Sequence, residues 1–243
     1  MELRELISRR KSTRSFSMAP ADEADLRRIR DFAALCRPLY PELPVRLDLI
    51  GIDAVRCILP WKTPHYVAVF TDDSPGAAEN AGFLCQQLDL YIHSLGLGSC
   101  WLGMGRYDPR GDSAPPDTDG LRFLIMLAFG RPAGQSLRSG PEEFRRKSAD
   151  AIADFPDPRL EPARLAPSSV NSQPWYFVHD GDIIHAYRTR SLLSRAGLDT
   201  MNRVDMGIAL SHLYLSNPDT FRFFTVPAPP PVRGHEYTGS FSL

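Results

Sequence analysis

The sequence predicts an α+β fold made of two tandem α/β halves that meet as an internal pseudo-dimer. Three observations lead there. Arg9-Arg10-Lys11-Ser12 returns letter for letter as Arg145-Arg146-Lys147-Ser148. Comparable segments follow each copy in the same order. Each half carries both strand-like and helix-like stretches, which gives a mixed class. A period of roughly 100–140 residues is domain-sized, well beyond that of a solenoid. The halves are therefore placed at 1–138 and 139–243.

After the first tetrad comes Asp31-Phe32-Ala33-Ala34-Leu35, running on to Pro44 and Val45-Arg46-Leu47-Asp48. After the second comes Glu161-Pro162-Ala163-Arg164-Leu165, running on to Pro174 and Trp175-Tyr176-Phe177-Val178. Asn80-Ala81-Gly82 with Leu88 matches Asp205-Met206-Gly207 with Leu213. Leu121-Arg122-Phe123-Leu124-Ile125 is set against Phe221-Arg222-Phe223-Phe224-Thr225.

Taken in order, Glu2–Arg9 reads as a helix with Leu3, Leu6 and Ile7 on one face, and Ala21–Leu35 as a second, capped by Asp22. Tyr66–Phe70 is a β-rich run bounded by Pro64 and Asp72-Asp73. Ala77–Leu95 is a long amphipathic helix with Leu84, Leu88 and Tyr91 at helical spacing. Leu121–Phe129 is short and nearly all apolar, which predicts a central buried strand. Tyr107–Gly120, rich in Asp, Pro and Gly, reads as a loop. Ala149–Ala166 is helical but interrupted near Pro156 and Pro158. Two strand-like runs flank Asp180-Gly181, a hairpin signal. Met206–Leu215 is the second core helix, and Pro227–Pro231 an extended bridge to the last strand.

Composition narrows the function. The chain has 243 residues, 43% of them hydrophobic, enough for a core. A net charge of −1 argues against a nucleic-acid binder. The longest apolar run, Phe123–Phe129, is far short of the roughly 20 residues that span a bilayer. Met-Glu-Leu-Arg-Glu does not read as a signal peptide. Cys36, Cys57, Cys85 and Cys100 have no zinc spacing and read as reduced thiols in a cytoplasmic core.

Three stretches carry chemistry. Arg10, Lys11, Ser12 and Arg14 combine guanidinium forks, a point charge and a hydroxyl, a fitting phosphate cradle. The second tetrad has Asp150 where the first has Arg14, so it should not complete a cradle. Ala166-Pro167-Ser168-Ser169-Val170-Asn171-Ser172-Gln173-Pro174-Trp175 sets hydroxyls and amides on a proline-bounded turn. Gly96-Leu97-Gly98-Ser99-Cys100-Trp101-Leu102-Gly103 allows backbone to approach a flat ligand closely. Each also reads as an ordinary cap or turn taken alone. No His/Asp or Cys/His arrangement stands out, and His212 is expected to pack on the second core helix.

Together, Arg-x-Ser-x-Arg, the Pro-Ser-Ser-x-Asn turn and the glycine stretch after a long helix resemble the FMN-dependent nitroreductase family. The resemblance covers most of the chain. Here the Pro-Ser turn lies in the second half, which is similar to a branch with two nitroreductase-like halves fused in one chain. The resemblance implies one intact flavin site, with the cradle and glycine stretch from the first half and the turn from the second. It places Arg10, Ser12 and Arg14 at the FMN phosphate and ribityl chain, with Lys11 at a variable position. It places Pro167, Ser168, Ser169 and Asn171 at the turn given across the interface. Trp101, Leu102 and Gly103 match the backbone near the isoalloxazine. Arg146, or Arg145 if the alignment slips by one, closes on the phosphate. The implied reaction takes electrons from NADH or NADPH, by way of FMN, to a small-molecule acceptor such as a nitroaromatic or quinone. A non-catalytic FMN- or nucleotide-binding protein is the alternative. A monomer mimicking the family homodimer is expected, with no nucleic-acid or membrane partner.

Overall fold

Two long helices lie between two four-stranded antiparallel sheets. The computed structural model describes residues 2–135, 137–190 and 196–243. The order is α1 (Leu3–Ile7), α2 (Glu23–Ala33), β1 (Val45–Gly51), β2 (Val55–Arg56), β3 (His65–Thr71), α3 (Ala77–Ser94), β4 (Gly98–Leu102), β5 (Arg106–Tyr107) and β6 (Arg122–Gly130). Then follow α4 (Glu161–Arg164), β7 (Trp175–Asp180), β8 (Ile183–Thr189), α5 (Ala196–Ser216), β9 (Arg222–Phe224) and β10 (His235–Ser242). The sheets run β1-β3-β6-β4 and β7-β8-β10-β9, and β2 pairs with β5 in a short ribbon. This is the mixed helix-and-sheet class that the sequence predicts.

Local chemistry explains most of the elements. Tyr66–Phe70 and Ile125–Phe129 have few polar side chains because both faces of the first sheet are covered. On one face Val67, Val69, Ile125, Leu127 and Phe129 join the main core with α3, α5 and the second sheet. On the other, Tyr66, Ala68, Phe70, Met126 and Ala128 pack under Trp61, Tyr107, Ala114 and Leu121. The Tyr107–Gly120 loop is thus a cover for this outer face, tied down by Ser113 N–H on Asp53 Oδ2 at 2.8 Å. Gly181, at φ +61°, turns the β7–β8 hairpin where the sequence places it. Asp22 stands at the start of α2 but does not cap it through its side chain. Its carboxylate pairs with Arg131 instead, at 2.8 Å. Between Ala149 and Ala166 only 3₁₀ turns and the four-residue α4 form, because Pro156, Pro158 and Pro162 remove backbone donors at close intervals. α5 begins ten residues before the predicted Met206, at Ala196. Arg203 supports that extension through Asp199 one turn earlier, at 3.1 Å.

α3 and α5 cross at glycines. A Cβ on Gly82 would strike the Val204 carbonyl, and a Cβ on Gly207 would strike the Glu79 carbonyl. The contact is reciprocal, each glycine meeting the residue three positions before the other. The two flanking polar residues also act alike. Asn80 Oδ1 accepts from the N–H of Leu39 at 2.8 Å, and Asp205 Oδ2 accepts from that of Ser169 at 3.0 Å. Gly207→Ala is expected to destabilise by about 1–3 kcal/mol, since backbone on the partner helix cannot yield as a side chain does. Urea unfolding measures it, and an unchanged midpoint would refute the tight crossing.

Two sequence correspondences do not hold in space. β9 follows α5 directly and pairs with β10 at a sheet edge, as β4 follows α3 and pairs with β6. The positional counterpart of β6 is therefore β10, not Phe221–Thr225. The tetrads also differ. Ser12 bridges to Ser99 on β4, whereas the chain after Ser148 pairs through Ala153 with Phe177 on β7. The second tetrad itself meets the Pro-Ser turn, with Lys147 N–H donating to Gln173 Oε1 at 2.7 Å. Among the described residues no helix is long and apolar enough to cross a membrane, and all four cysteines are free.

Candidate functional site

The first basic segment is extended, not helical. It lies along β4 through the Ser12–Ser99 bridge and the Thr13 N–H on the Ser99 carbonyl at 2.8 Å. Gly98 makes this approach possible, because a Cβ there would collide with the Thr13 hydroxyl. The glycine stretch and the basic segment are therefore one assembly. Arg10 is 1% exposed. Its Nε lies 3.0 Å from Asp89 Oδ2 in α3. Asp89 also accepts from the Ser99 hydroxyl and, at 2.9 Å, from Gln86 Nε2. Gln86 Oε1 in turn accepts from the Trp101 indole at 3.1 Å, and its amide meets His212. Burial alone would raise the Asp89 carboxyl. Arg10, His93 and the two hydrogen bonds outweigh that and hold it below its ordinary value. Burial drives His93 down to about 4 and His212 to about 3, so both are neutral at pH 7.

The Pro-Ser turn approaches from the second half. Val170, Asn171 and Gln173 all have positive φ, at 47°, 59° and 48°. For a β-branched residue such as Val170 this is a rare and costly conformation. Long-range contacts hold it. Ser169 N–H donates to Asp205 on α5, Ser168 Oγ accepts from Gln173 N–H at 2.9 Å, and Asn171 Oδ1 accepts from Arg146 Nη1 at 2.6 Å. Asn171 Nδ2 donates to the Arg145 carbonyl at 2.9 Å. The Val170 side chain is 89% exposed.

Burial pushes the Asp205 carboxyl up to about 8 from its ordinary 3.8, against the pull of the Ser169 N–H. The folded chain then holds a proton there that the unfolded chain has lost. Stability is full below the ordinary value and falls by about 1.4 kcal/mol per pH unit as pH rises toward 8. Asp205→Asn keeps an acceptor for Ser169 and removes the titration, as Asn80 does at the other glycine crossing. The variant is expected to match the wild type near pH 4 and exceed it most above pH 8. Thermal melts across that range check it, and a constant difference at every pH would refute it.

Segment and turn enclose a cleft of about 510 Å³. Arg10, Lys11, Ser12, Arg14, Arg138, Glu143, Arg145, Arg146, Pro167, Ser168, Val170 and Asn171 line it. Six cations thus face a single carboxylate. Burial and the neighbouring Arg10, Arg138 and Arg164 push the Arg146 guanidinium down to about 10. Arg10 Nη2 and Arg146 Nε are buried without a hydrogen-bond partner. Such a cleft is built for an anion.

Eight of the twelve sequence-predicted residues share this lining: Arg10, Lys11, Ser12, Arg14, Arg146, Pro167, Ser168 and Asn171. Ser169 turns its N–H to Asp205. Trp101, Leu102 and Gly103 lie outside the lining. Leu102 is buried in the first sheet, Trp101 bonds Gln86, and exposed Gly103 faces Met201 of α5. Met201 is one helical turn before Asp205, so α5 spans from the glycine stretch to the Pro-Ser turn. Sequence reasoning passed over Arg138, Asp89 and Asp205. No local pattern singles them out, although a charged residue within an apolar helix face, as at Asp89, was a usable signal.

Comparison with known proteins agrees with this architecture. Residues 2–217 match the family described as "Putative TM nitroreductase". A putative nitroreductase from Thermotoga maritima has 21% identity and a TM-score of 0.66, over 100% of this chain and 94% of that one. A nitroreductase family protein from Clostridium difficile 630 has 18% identity and a TM-score of 0.47, over 63% of this chain and 97% of that one. An FMN-dependent nitroreductase from Clostridium difficile R20291 has 15% identity and a TM-score of 0.40, over 56% and 91%. No curated protein matches the chain. With the family match running over most of its length and the fold shared end to end with the Thermotoga structure, this chain belongs to the TM nitroreductase family.

Proposed function

We propose that the chain is an FMN-dependent oxidoreductase that passes electrons from NADH or NADPH to a small acceptor such as a nitroaromatic or quinone. One observation carries the reading. Two arginines that line the cleft, Arg10 and Arg146, each keep a buried guanidinium nitrogen with no partner. A phosphate monoester brings about −1.5 to −2 charges and three acceptor oxygens, which meet both. The cleft volume also lies in the usual cofactor range. The residues present therefore fit the phosphate end of FMN.

In this reading Arg10, held by Asp89, forms the floor of the cradle. Arg14, Lys11 and Arg146 surround the phosphate, and the Ser12 hydroxyl donates to it. Ser168 Oγ already accepts from Gln173, so its O–H remains free to donate to the ligand. The end of β4 at Trp101–Gly103, beside Met201 of α5, takes the ring end. Bound FMN would supply the two-electron chemistry, accepting hydride from the nicotinamide and returning the electrons to the acceptor. We also infer that the halves at 1–138 and 139–243 stand where two subunits would, related through the Gly82–Gly207 crossing. On that basis the chain acts as a monomer, which light scattering tests.

The experiment is reconstitution with FMN followed by dialysis. Retained flavin absorbance is expected, with bleaching by NADH or NADPH without air and return of colour on adding a quinone. Colourless protein would overturn the reading. Bound flavin that neither nicotinamide reduces would make the chain a passive binder.

A further inference from the structure

The short β2–β5 ribbon sets two arginines face to face. Arg56 on β2 is the register partner of Arg106 on β5, and like charges directly opposite destabilise a strand pair. Asp108 relieves one of them. Its carboxylate, 4% exposed, lies 2.6 Å from Arg56 Nη2 and 2.9 Å from Arg110 Nε. The carboxylate is underneath, while both arginine side chains stay in water at 62% and 82% exposure. Arg106 Nη1 donates to the adjoining Gly105 carbonyl at 3.0 Å, and among the described residues Arg106 has no ion pair. Asp53, which precedes the ribbon, is held by the Ser113 hydroxyl at 2.7 Å. From this ribbon the chain runs straight into Cys57-Ile58-Leu59-Pro60-Trp61-Lys62. Leu59 and Trp61 turn inward and pack on the outer face of the first sheet. Ile58 is 82% exposed, and Pro60 and Lys62 are exposed with it. The loop is tied at its far end, where Thr63 donates its N–H to the Tyr66 hydroxyl at 3.2 Å and its own hydroxyl to the Phe129 carbonyl at 2.7 Å. Arg14 lies over Trp61, its guanidinium carbon 5.1 Å from the ring centre.

We propose that this loop is a docking surface for an anionic lipid bilayer. Ile58 and Pro60 enter the headgroup layer with Trp61 at its edge, and Arg14, Arg56, Lys62, Arg106 and Arg110 lie among the headgroups. Two features together carry this. An exposed apolar tip alone would suit many partners, and exposed cations alone would suit any polyanion. An apolar tip among five exposed cations fits a surface that is anionic outside and apolar a few ångströms deeper. Tryptophan is favoured at that depth, and long basic side chains reach back to the headgroups. Duplex nucleic acid offers the charge but no apolar layer for Ile58. The expectation of no membrane partner follows from the length of the apolar runs, which governs spanning; an interfacial contact needs only a few residues. Arg14 also lines the anion cleft, so docking brings the cleft mouth to the lipid surface.

The inference goes beyond the flavin reading and does not depend on it. The test floats full-length protein with vesicles of mixed phosphatidylglycerol and phosphatidylcholine, and with vesicles of phosphatidylcholine alone, at low salt. Wild type is expected to float with the anionic vesicles, and less with the neutral ones. Ile58→Asp removes the apolar tip from an exposed position where packing is not at stake, and is expected to weaken binding about tenfold or more. Arg106→Gln should weaken it roughly fivefold on anionic vesicles and leave neutral ones unchanged. Bromine-labelled lipid is expected to quench emission in wild type but much less in Trp61→Phe, since Trp175 is buried. Wild type that stays off anionic vesicles would overturn the proposal. So would equal binding by wild type and Ile58→Asp, because the attraction would then come from charge alone and suit any polyanion. Quenching that persists in Trp61→Phe would place the contact on another face and overturn it too. Colourless protein that floats through Ile58 would leave this proposal standing and remove the flavin reading. A working flavoprotein that does not float would do the reverse.

Discussion

Asp89→Asn is expected to lower folding stability by about 3–5 kcal/mol, because it leaves Arg10 as a buried cation with no counter-ion. Asp89 is 0% exposed, lies 3.0 Å from Arg10 Nε as its counter-ion, and accepts hydrogen bonds from Ser99 and Gln86. No water can replace the lost charge at that depth. Chemical denaturation at pH 7 measures the loss. The pH profile gives a second signature. A carboxyl held below its ordinary 3.8 contributes stability above that value and loses it as pH falls through its folded value. The gap between wild type and variant should therefore close in acid. A variant as stable as wild type at pH 7 would show that Arg10 finds another partner, and the cradle floor would need redrawing.

Arg146→Ala is expected to weaken FMN binding by roughly 30- to 100-fold, the value of one or two charge-assisted hydrogen bonds in a partly buried site. Arg146 does two things at once. It brings charge to the cleft, and it holds the Pro-Ser turn through Asn171 Oδ1 and the Leu165 carbonyl at 3.2 Å. Removing it frees a turn whose Val170 and Asn171 stay at positive φ only while they are held. Arg146→Lys should recover part of the charge but not the fork that reaches two oxygens. Fluorescence titration checks both variants. Equal affinity in Arg146→Ala would remove this residue from the site.

The elements were legible where one periodicity ran uninterrupted. β3, β6, the β7–β8 hairpin and α3 all fall within a few residues of their predicted positions. Helices failed to extend through Ala149–Ala166, where three prolines within seven residues cut the donor ladder. The start of α5 was hidden because ion pairs rather than an apolar stripe support its first turns. The two motifs that converge on the cleft were visible as strings. Their partners Arg138, Asp89 and Asp205 were not, since each meets the two motifs through contacts far away in the chain.

By itself, then, the sequence determined the mixed class, the main strands and core helices, and which short segments carry clustered cations and turn residues. Those follow from side-chain period, turn residues and charge, all of them local. Only the tertiary structure decided how the second tetrad meets the first, with Arg145 and Arg146 on the cleft lining and Lys147 held by Gln173. It also decided that Arg10 is buried against Asp89, and that β10 rather than β9 is the counterpart of β6. These outcomes depend on which surfaces lose water together. Desolvation turns Asp89 into a required counter-ion and gathers six cations around one space, and no periodicity along the chain encodes it.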